Sequence, residues 1–87
     1  MTVRDDSALD GNAIGGLLLE VFGTEMTAAV GVCGSCGASR PLAETVVYVR
    51  TPGTVVRCRT CGAVLMVVVS RPGQNCVDLL GLAALET

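Results

Sequence analysis

The residues best suited to chemistry in this chain are four cysteines, arranged in two Cys-x-x-Cys-Gly motifs. The pairs are Cys33 with Cys36 and Cys58 with Cys61, and 21 residues separate one pair from the other. Each motif forms a tight turn that directs both sulfurs to one side. Two facing turns of this kind supply the four thiolates of a closed tetrahedral site with Zn–S bonds of ~2.3 Å. The sequence therefore predicts one Zn²⁺ per chain, bound by these four cysteines.

A closed four-thiolate site is suited to structure rather than to catalysis, because its ion has no open position for water. The sequence contains no histidine, which excludes His-based acid–base chemistry and Cys–His nucleophile pairs. No glycine-rich phosphate loop precedes a predicted helix. We therefore expect neither an enzyme nor a small-molecule substrate. Structural zinc contributes on the order of 10 kcal/mol, comparable with the whole stability of a small domain.

The cysteine pattern leaves three other interpretations open. Iron in a rubredoxin-like centre accepts the same ligands, but such centres usually lie among aromatic side chains, and Phe22 and Tyr48 are the only aromatic residues here. Disulfides require an oxidising compartment, for which nothing in the sequence argues. Oxidation that releases the zinc together with its thiolates would make a redox switch.

The fifth cysteine, Cys76, lies in a segment of alternating character between Asn75 and Leu79. Alternation places it on an inward or half-buried face, where a free cysteine acts as a small hydrophobic residue. We therefore expect Cys76 to fill space rather than to bind the metal or to act as a nucleophile.

A helix over residues 8–23 is predicted before the first cysteine pair. Ser7 is placed as its capping residue, and Gly23 is a natural stop. Gly11 and Gly15 weaken the helix, and their spacing of four has two interpretations: close approach of another backbone, or small residues on the solvent side. The apolar residues with helical spacing are Ala13, Ile14, Leu17, Leu18, Val21 and Phe22.

The cysteine pairs are expected at the ends of β-hairpins, because valine-rich segments with turn residues between them fill the second half of the chain. Residues 45–50 and 54–57 form one predicted hairpin, and residues 63–70 and 75–80 form another around the turn Arg71–Gln74. A strand is also predicted within residues 24–32. The fold class is therefore α+β and mostly β, with antiparallel hairpins and one N-terminal helix.

Two cysteine turns that bracket a hairpin and precede a second one resemble a zinc ribbon over residues 31–80. The resemblance implies a fold, but ribbons serve many functions and no activity follows from it. More narrowly, the chain resembles a family of small bacterial proteins of unknown function, through LDGNA at residues 9–13, VFG at 21–23 and EMT at 25–27. The predicted organisation is a single domain, 1–87: a flexible N-terminus at 1–7, the helix at 8–23, the zinc ribbon at 24–80 and a tail at 81–87.

The composition indicates self-association or a protein partner. Hydrophobic residues make up 51% of the chain, more than a small domain can bury, and the excess is expected in an interface, with a homodimer as the leading case. The longest apolar run, 63–69, is too short to cross a membrane. The acidic start of the chain does not resemble a secretory signal, and we expect a cytoplasmic protein.

Nucleic-acid binding is the alternative function. Residues 31–75 contain five arginines and one acidic residue, and a regulatory zinc ribbon would use such charges to contact phosphates. Stacking aromatics are missing apart from Tyr48. The arginines that would make these contacts are Arg50, Arg57, Arg59 and Arg71. Each also has a simpler interpretation as a solvated strand end.

Overall fold

The computed structural model describes residues 8–50 and 53–86, which form an α+β fold made mostly of antiparallel strands. The expected flexible segment 1–7, with the Ser7 cap, lies outside the described residues. One α-helix, α1, spans Gly15–Phe22. The strands are β1 Ala8–Asp10, β2 Val30–Cys33, β3 Ser39–Pro41, β4 Val46–Arg50, β5 Gly53–Arg57, β6 Val64–Arg71, β7 Gln74–Asp78 and β8 Leu82–Glu86.

Five of these strands form one antiparallel sheet in the order β1-β4-β5-β6-β7. Valine and other apolar residues alternate along the three central strands, so one face of the sheet turns inward. Val47 opposes Val56, and Val56 opposes Met66. All three are at most 1% exposed. Together with Val68 they form the sheet's contribution to the hydrophobic core.

Both predicted hairpins of this sheet are confirmed. Strands β4 and β5 pair along their whole length, and residues 51–52 of the predicted turn lie outside the described residues. Strands β6 and β7 pair from Arg71 opposite Gln74, around a two-residue turn of Pro72 and Gly73. Gly73 has φ +74°, a conformation that glycine adopts without steric cost.

The second sheet has three strands in the order β3-β2-β8, and it contains the residues expected to be a tail. The prediction of a tail over 81–87 is wrong for Leu82–Glu86, which pairs with β2. The pairing is stabilised by apolar contact, since Leu82 and Leu85 pack against the core. The predicted strand within 24–32 is also shorter than expected, because β2 begins only at Val30.

The helix begins later than the prediction of residue 8. Residues Ala8–Asp10 are a strand paired with β4, and Gly11–Ile14 form a 3-10 turn before α1. Gly11 explains this arrangement, because a Cβ at this residue would lie 1.7 Å from the carbonyl oxygen of Leu42. Another backbone segment therefore does approach closely at Gly11, and the solvent-side interpretation is wrong for this glycine.

Helix α1 packs on the inner face of the five-stranded sheet. Leu18 is 1% exposed in the core, and Ile14 precedes the helix as a second buried residue. Glu20 accepts a hydrogen bond from Asn75 of β7 at 3.0 Å, which ties the helix to the sheet. The helix ends at Gly23, which has φ +75° and donates to the Leu19 carbonyl. Within the described residues, no helix has the length and apolar character to cross a membrane.

Candidate metal centre

Two turns with the same backbone geometry hold the four cysteines. The first connects β2 to β3, where the Cys33 amide donates to the Ala38 carbonyl at 2.9 Å and the Gly37 amide donates to the Cys33 carbonyl at 2.9 Å. In the second turn, between β5 and β6, the Cys58 amide donates to Ala63 and the Gly62 amide to Cys58, each at 2.8 Å.

The glycine that ends each turn has the conformation predicted from the sequence. The φ angles are +78° at Gly37 and +80° at Gly62, in a region that side chains with a Cβ resist. Each turn belongs to a different sheet, the first to the three-stranded and the second to the five-stranded one. The cysteine cluster therefore lies where the two sheets meet.

The four sulfurs form one cluster. The Sγ atoms of Cys33 and Cys61 are 3.7 Å apart, as are those of Cys36 and Cys58, and all four sulfurs lie within 4.8 Å of one another. Each close pair joins a cysteine of the first turn to a cysteine of the second. The arrangement could hold a metal ion, as the spacing of the motifs predicted.

Exposure differs systematically between the first and the second cysteine of each motif. Cys33 is 3% and Cys58 is 5% exposed, and both belong to the core cluster. Cys36 and Cys61 are exposed. A depression beside the two buried sulfurs has a volume of about 10 Å³, which accommodates about one water molecule. This depression is therefore too small for a substrate.

Backbone amides favour the ionised form of the two buried cysteines. The pKa of Cys33 is lowered by hydrogen bonds from the Cys36 and Ser35 amides, and the Ser35 nitrogen is 3.4 Å from its sulfur. Burial opposes ionisation of Cys58, but the amides of Cys61 and Thr60 outweigh it and lower the pKa of Cys58 to about 6. Both sulfurs therefore ionise more readily than an ordinary cysteine and can act as thiolate ligands.

The pKa of Cys61 shifts in the opposite direction. The Ala63 amide favours its thiolate, but burial and the neighbouring sulfurs of the other three cysteines outweigh this hydrogen bond and raise the pKa of Cys61 to about 11. Without a cation, negative charge on one sulfur disfavours charge on the next. Near neutral pH, Cys61 therefore keeps its proton unless a positive ion lies among the sulfurs.

The segment between β7 and β8 contacts both cysteine turns. The Gly34 amide, in the first turn, donates to the Gly81 carbonyl at 2.9 Å. A Cβ on Gly81 would lie 1.8 Å from the carbonyl oxygen of Val64, at the end of the second turn. Gly81 was not among the functional residues predicted from the sequence, because it lies in the segment predicted to be a tail. The sequence feature that could have identified Gly81 is its position as a glycine between two apolar segments.

Polar side chains also connect the two turns with the segment before β4. The Arg40 guanidinium contacts Thr60 at 3.1 Å and Glu44 at 3.2 Å. Arg59 donates to the Glu44 carbonyl at 2.7 Å. These contacts position the second turn against the chain that leads into the five-stranded sheet. Arg40 was not among the predicted functional residues.

The arginines proposed for nucleic-acid contacts do not form one cluster of free cations. Arg57 donates to the Gly62 carbonyl at 2.8 Å, and Arg59 donates to Glu44. Arg71 is exposed at the β6–β7 turn. Arg50 ends β4 and pairs with Gly53. Two of the four side chains therefore have structural roles at the backbone.

Cys76 lies away from the cluster, as expected, but its predicted burial is wrong. It is exposed on β7, and it opposes Val69 of β6. Alternation correctly distinguishes two faces of this strand. It does not show which face is covered, and the face that includes Cys76 has no packed layer among the described residues.

The fold and the cluster define a small, mostly β protein in which four cysteines could hold a metal ion. The model of the family of unknown function DUF6510 matches residues 5–87, and the chain belongs to this family. The resemblance to a family of unknown function is thereby confirmed. No curated protein and no solved structure matches the chain.

Proposed function

We propose that this protein is a zinc-stabilised structural module of the zinc-ribbon type, which acts by associating with itself or with a protein partner. The observation that carries the proposal is the position of the four sulfurs, which lie within 4.8 Å of one another at the junction of the two sheets. An ion at this position cross-links a turn of the three-stranded sheet to a turn of the five-stranded sheet.

The sulfur separations fit one tetrahedral ion such as zinc. Four sulfurs at ~2.3 Å from one ion in tetrahedral geometry lie about 3.8 Å from each other. The two close pairs, Cys33 with Cys61 and Cys36 with Cys58, are at 3.7 Å. Zinc has no redox chemistry of its own and favours this ligand set in structural sites. The sequence has only two aromatic residues, Phe22 and Tyr48, fewer than usually surround a rubredoxin-like iron centre.

A structural role agrees with the surroundings of the cluster. Four protein ligands leave no position for a reacting water, and the adjacent depression has room for about one water molecule. The sequence has no histidine to move protons. These features support a protein that is not an enzyme. We further propose that it resides in the cytoplasm, where reduced thiols remain available for zinc.

The outer face of the five-stranded sheet supports association. The residues of this face alternate with the buried ones, and Tyr48, Val55 and Val67 follow one another across β4, β5 and β6. They are half-buried by their neighbours in the sheet, but they are not part of the core cluster of the described residues. A sheet that is apolar on both faces is typical of a protein that covers the second face with a partner.

Nucleic-acid binding receives less support from the arrangement of the arginines. A phosphate-binding surface needs several cations that are free to reach one strand of nucleic acid. The Arg57 and Arg59 side chains donate to carbonyls of their own chain. We therefore retain a protein partner as the proposal.

Metal analysis combined with light scattering tests the proposal. The purified protein is expected to contain one zinc ion per chain and to have the mass of a dimer. A folded, metal-free monomer would contradict both parts. Iron in place of zinc would overturn the assignment of the ion. A zinc-loaded monomer would overturn self-association and direct the search to a different protein partner.

A further inference from the structure

Among the described residues, no strand pairs with the outer side of β7. It is the last strand of the five-stranded sheet, and four of its five residues, Gln74–Val77, carry no charge. Soluble proteins usually protect such edges with lysine, proline or a bulge, because unpaired backbone groups there can pair with another chain. Val77 is 37% exposed on this edge. The strand is thus open to pairing along its length.

The β6–β7 turn determines which backbone groups point outward. A two-residue turn is closed by a hydrogen-bonded pair, here Arg71 with Gln74, and such pairs alternate with non-hydrogen-bonded ones along an antiparallel ladder. Cys76 therefore uses its amide and carbonyl within the sheet. Asn75 and Val77 direct theirs to the free side.

The strand is complementary to a second copy of itself. In an antiparallel pair centred on Cys76, residue 75 opposes residue 77 of the other copy, which matches the outward groups of Asn75 with those of Val77. Gln74 opposes Asp78, so that an amide donor faces a carboxylate on both sides of the two-fold axis. No like charges face each other.

The other edges are less suitable. Within the described residues, strands β1 and β3 have three residues each, and β3 contains Arg40 and Pro41. Strand β8 has five residues, but its register with β2 shifts at Val32/Cys33, and an irregular edge resists pairing. A symmetric pair centred on Ala84 would also place Glu86 opposite Leu82.

We propose that two copies of this chain pair antiparallel through β7, in the register that places Cys76 opposite Cys76 of the other copy. The dimer is then a continuous ten-stranded sheet, and the outer apolar faces of the two copies adjoin. This inference rests on the proposed self-association and assigns it to the β7 edge; the pairing extends the outer apolar face of the five-stranded sheet and does not cover it. Cys76 is a reporter of the register in this proposal, and it has no catalytic role.

Thiol cross-linking tests the register on the native chain. The two Cys76 residues occupy a non-hydrogen-bonded pair, with Cα atoms about 4.5 Å apart, within the range that a disulfide accepts. The azo oxidant diamide takes two protons and two electrons from the two thiols, so that two S–H bonds break, one S–S bond forms and the azo bond becomes a hydrazine. The zinc-loaded protein is expected to form a covalent dimer rapidly. The Cys76→Ser variant should form none.

Two further variants test whether β7 or β8 is the edge that pairs in the dimer. Val77→Lys places a charge beside the centre of β7 and is expected to raise the dimer dissociation constant at least about tenfold. Ala84→Lys places the same charge on β8 and should leave that constant unchanged. Zinc content and circular dichroism of both variants establish that they are folded.

The outcomes separate this inference from the proposed function. A wild-type monomer contradicts self-association and the β7 interface together. A dimer that resists Val77→Lys but dissociates with Ala84→Lys overturns the β7 interface and leaves self-association intact. A dimer that dissociates with Val77→Lys but is not cross-linked through Cys76 overturns the proposed register.

Discussion

The Gly34 amide donates to the Gly81 carbonyl at 2.9 Å, and this bond joins the first cysteine turn to the segment that leads into β8. Gly81 also lies directly against the Val64 carbonyl, beside the second turn. One residue near the carboxyl end of the chain therefore contacts both halves of the cysteine cluster. The position of β8 and the geometry of the cluster are coupled through it.

Gly81→Ala is expected to destabilise the fold. The added Cβ would lie 1.8 Å from the Val64 carbonyl oxygen and 2.7 Å from the Leu65 Cα, and backbone atoms cannot move aside without disturbing the second turn. Overpacking of this kind costs about 1–3 kcal/mol. Urea unfolding of the zinc-loaded protein measures the change.

Gly16→Ala is the matched control, since a Cβ at this helical position meets no atom within 4 Å. Alanine should stabilise the helix there by about 0.5–1 kcal/mol. Equal effects of the two substitutions would show that the contact of Gly81 with Val64 contributes nothing to stability.

Loss of one cluster sulfur is expected to remove about half of the metal-dependent stability. Cys58→Ser replaces a buried thiolate in the core and leaves three sulfur ligands. We expect a loss on the order of 5 kcal/mol, half of what structural zinc supplies. Thermal unfolding together with zinc content measures it. Cys76→Ser should change stability by less than about 0.5 kcal/mol, and a large effect there would contradict its position outside the cluster.

Zinc affinity is expected to rise with pH, because protons and zinc compete for the same sulfurs. Cys61, whose pKa is raised to about 11, must lose its proton to zinc throughout the neutral range. Cys58, with its pKa lowered to about 6, adds a further displaced proton only below that pH. Affinity should therefore fall more steeply below pH 6 than above it, by about one more factor of ten per pH unit.

Competition with a chelator of known affinity between pH 5 and 8 measures this dependence. The Cys76→Ser variant should give the same curve, because Cys76 is not among the clustered sulfurs. A constant affinity over this range would contradict thiolate ligation at Cys61.

The sequence was sufficient to predict the cysteine cluster, since two short motifs determine their own turns. The amides of Gly37 and Gly62 donate within the turn to the carbonyls of Cys33 and Cys58, so that each turn is a local structure. The hairpin around Pro72 and Gly73 was predictable for the same reason. Hydrogen bonds and backbone preferences within each turn determine its conformation, and distant contacts do not alter it.

The elements that the sequence did not predict depend on distant contacts. Residues 82–86, with the sequence LAALE, favour a helix by intrinsic propensity. They form a strand because Leu82 and Leu85 reach the core beside β2. The start of α1 is set in the same way, by the Leu42 carbonyl against Gly11. Neither contact leaves a local signature in the sequence.

Arg57 and Arg59 are expected to stabilise the fold and not to bind nucleic acid. If Arg57 and Arg59 stabilise the chain through the carbonyls of Gly62 and Glu44, the protein should not be retained on a mixed DNA or RNA pool at low salt. Arg59→Gln should lower the free energy of unfolding by about 1 kcal/mol. Arg71→Gln, at an exposed turn, should leave it unchanged. Salt-dependent retention that Arg71→Gln weakens would favour the nucleic-acid alternative over the protein partner.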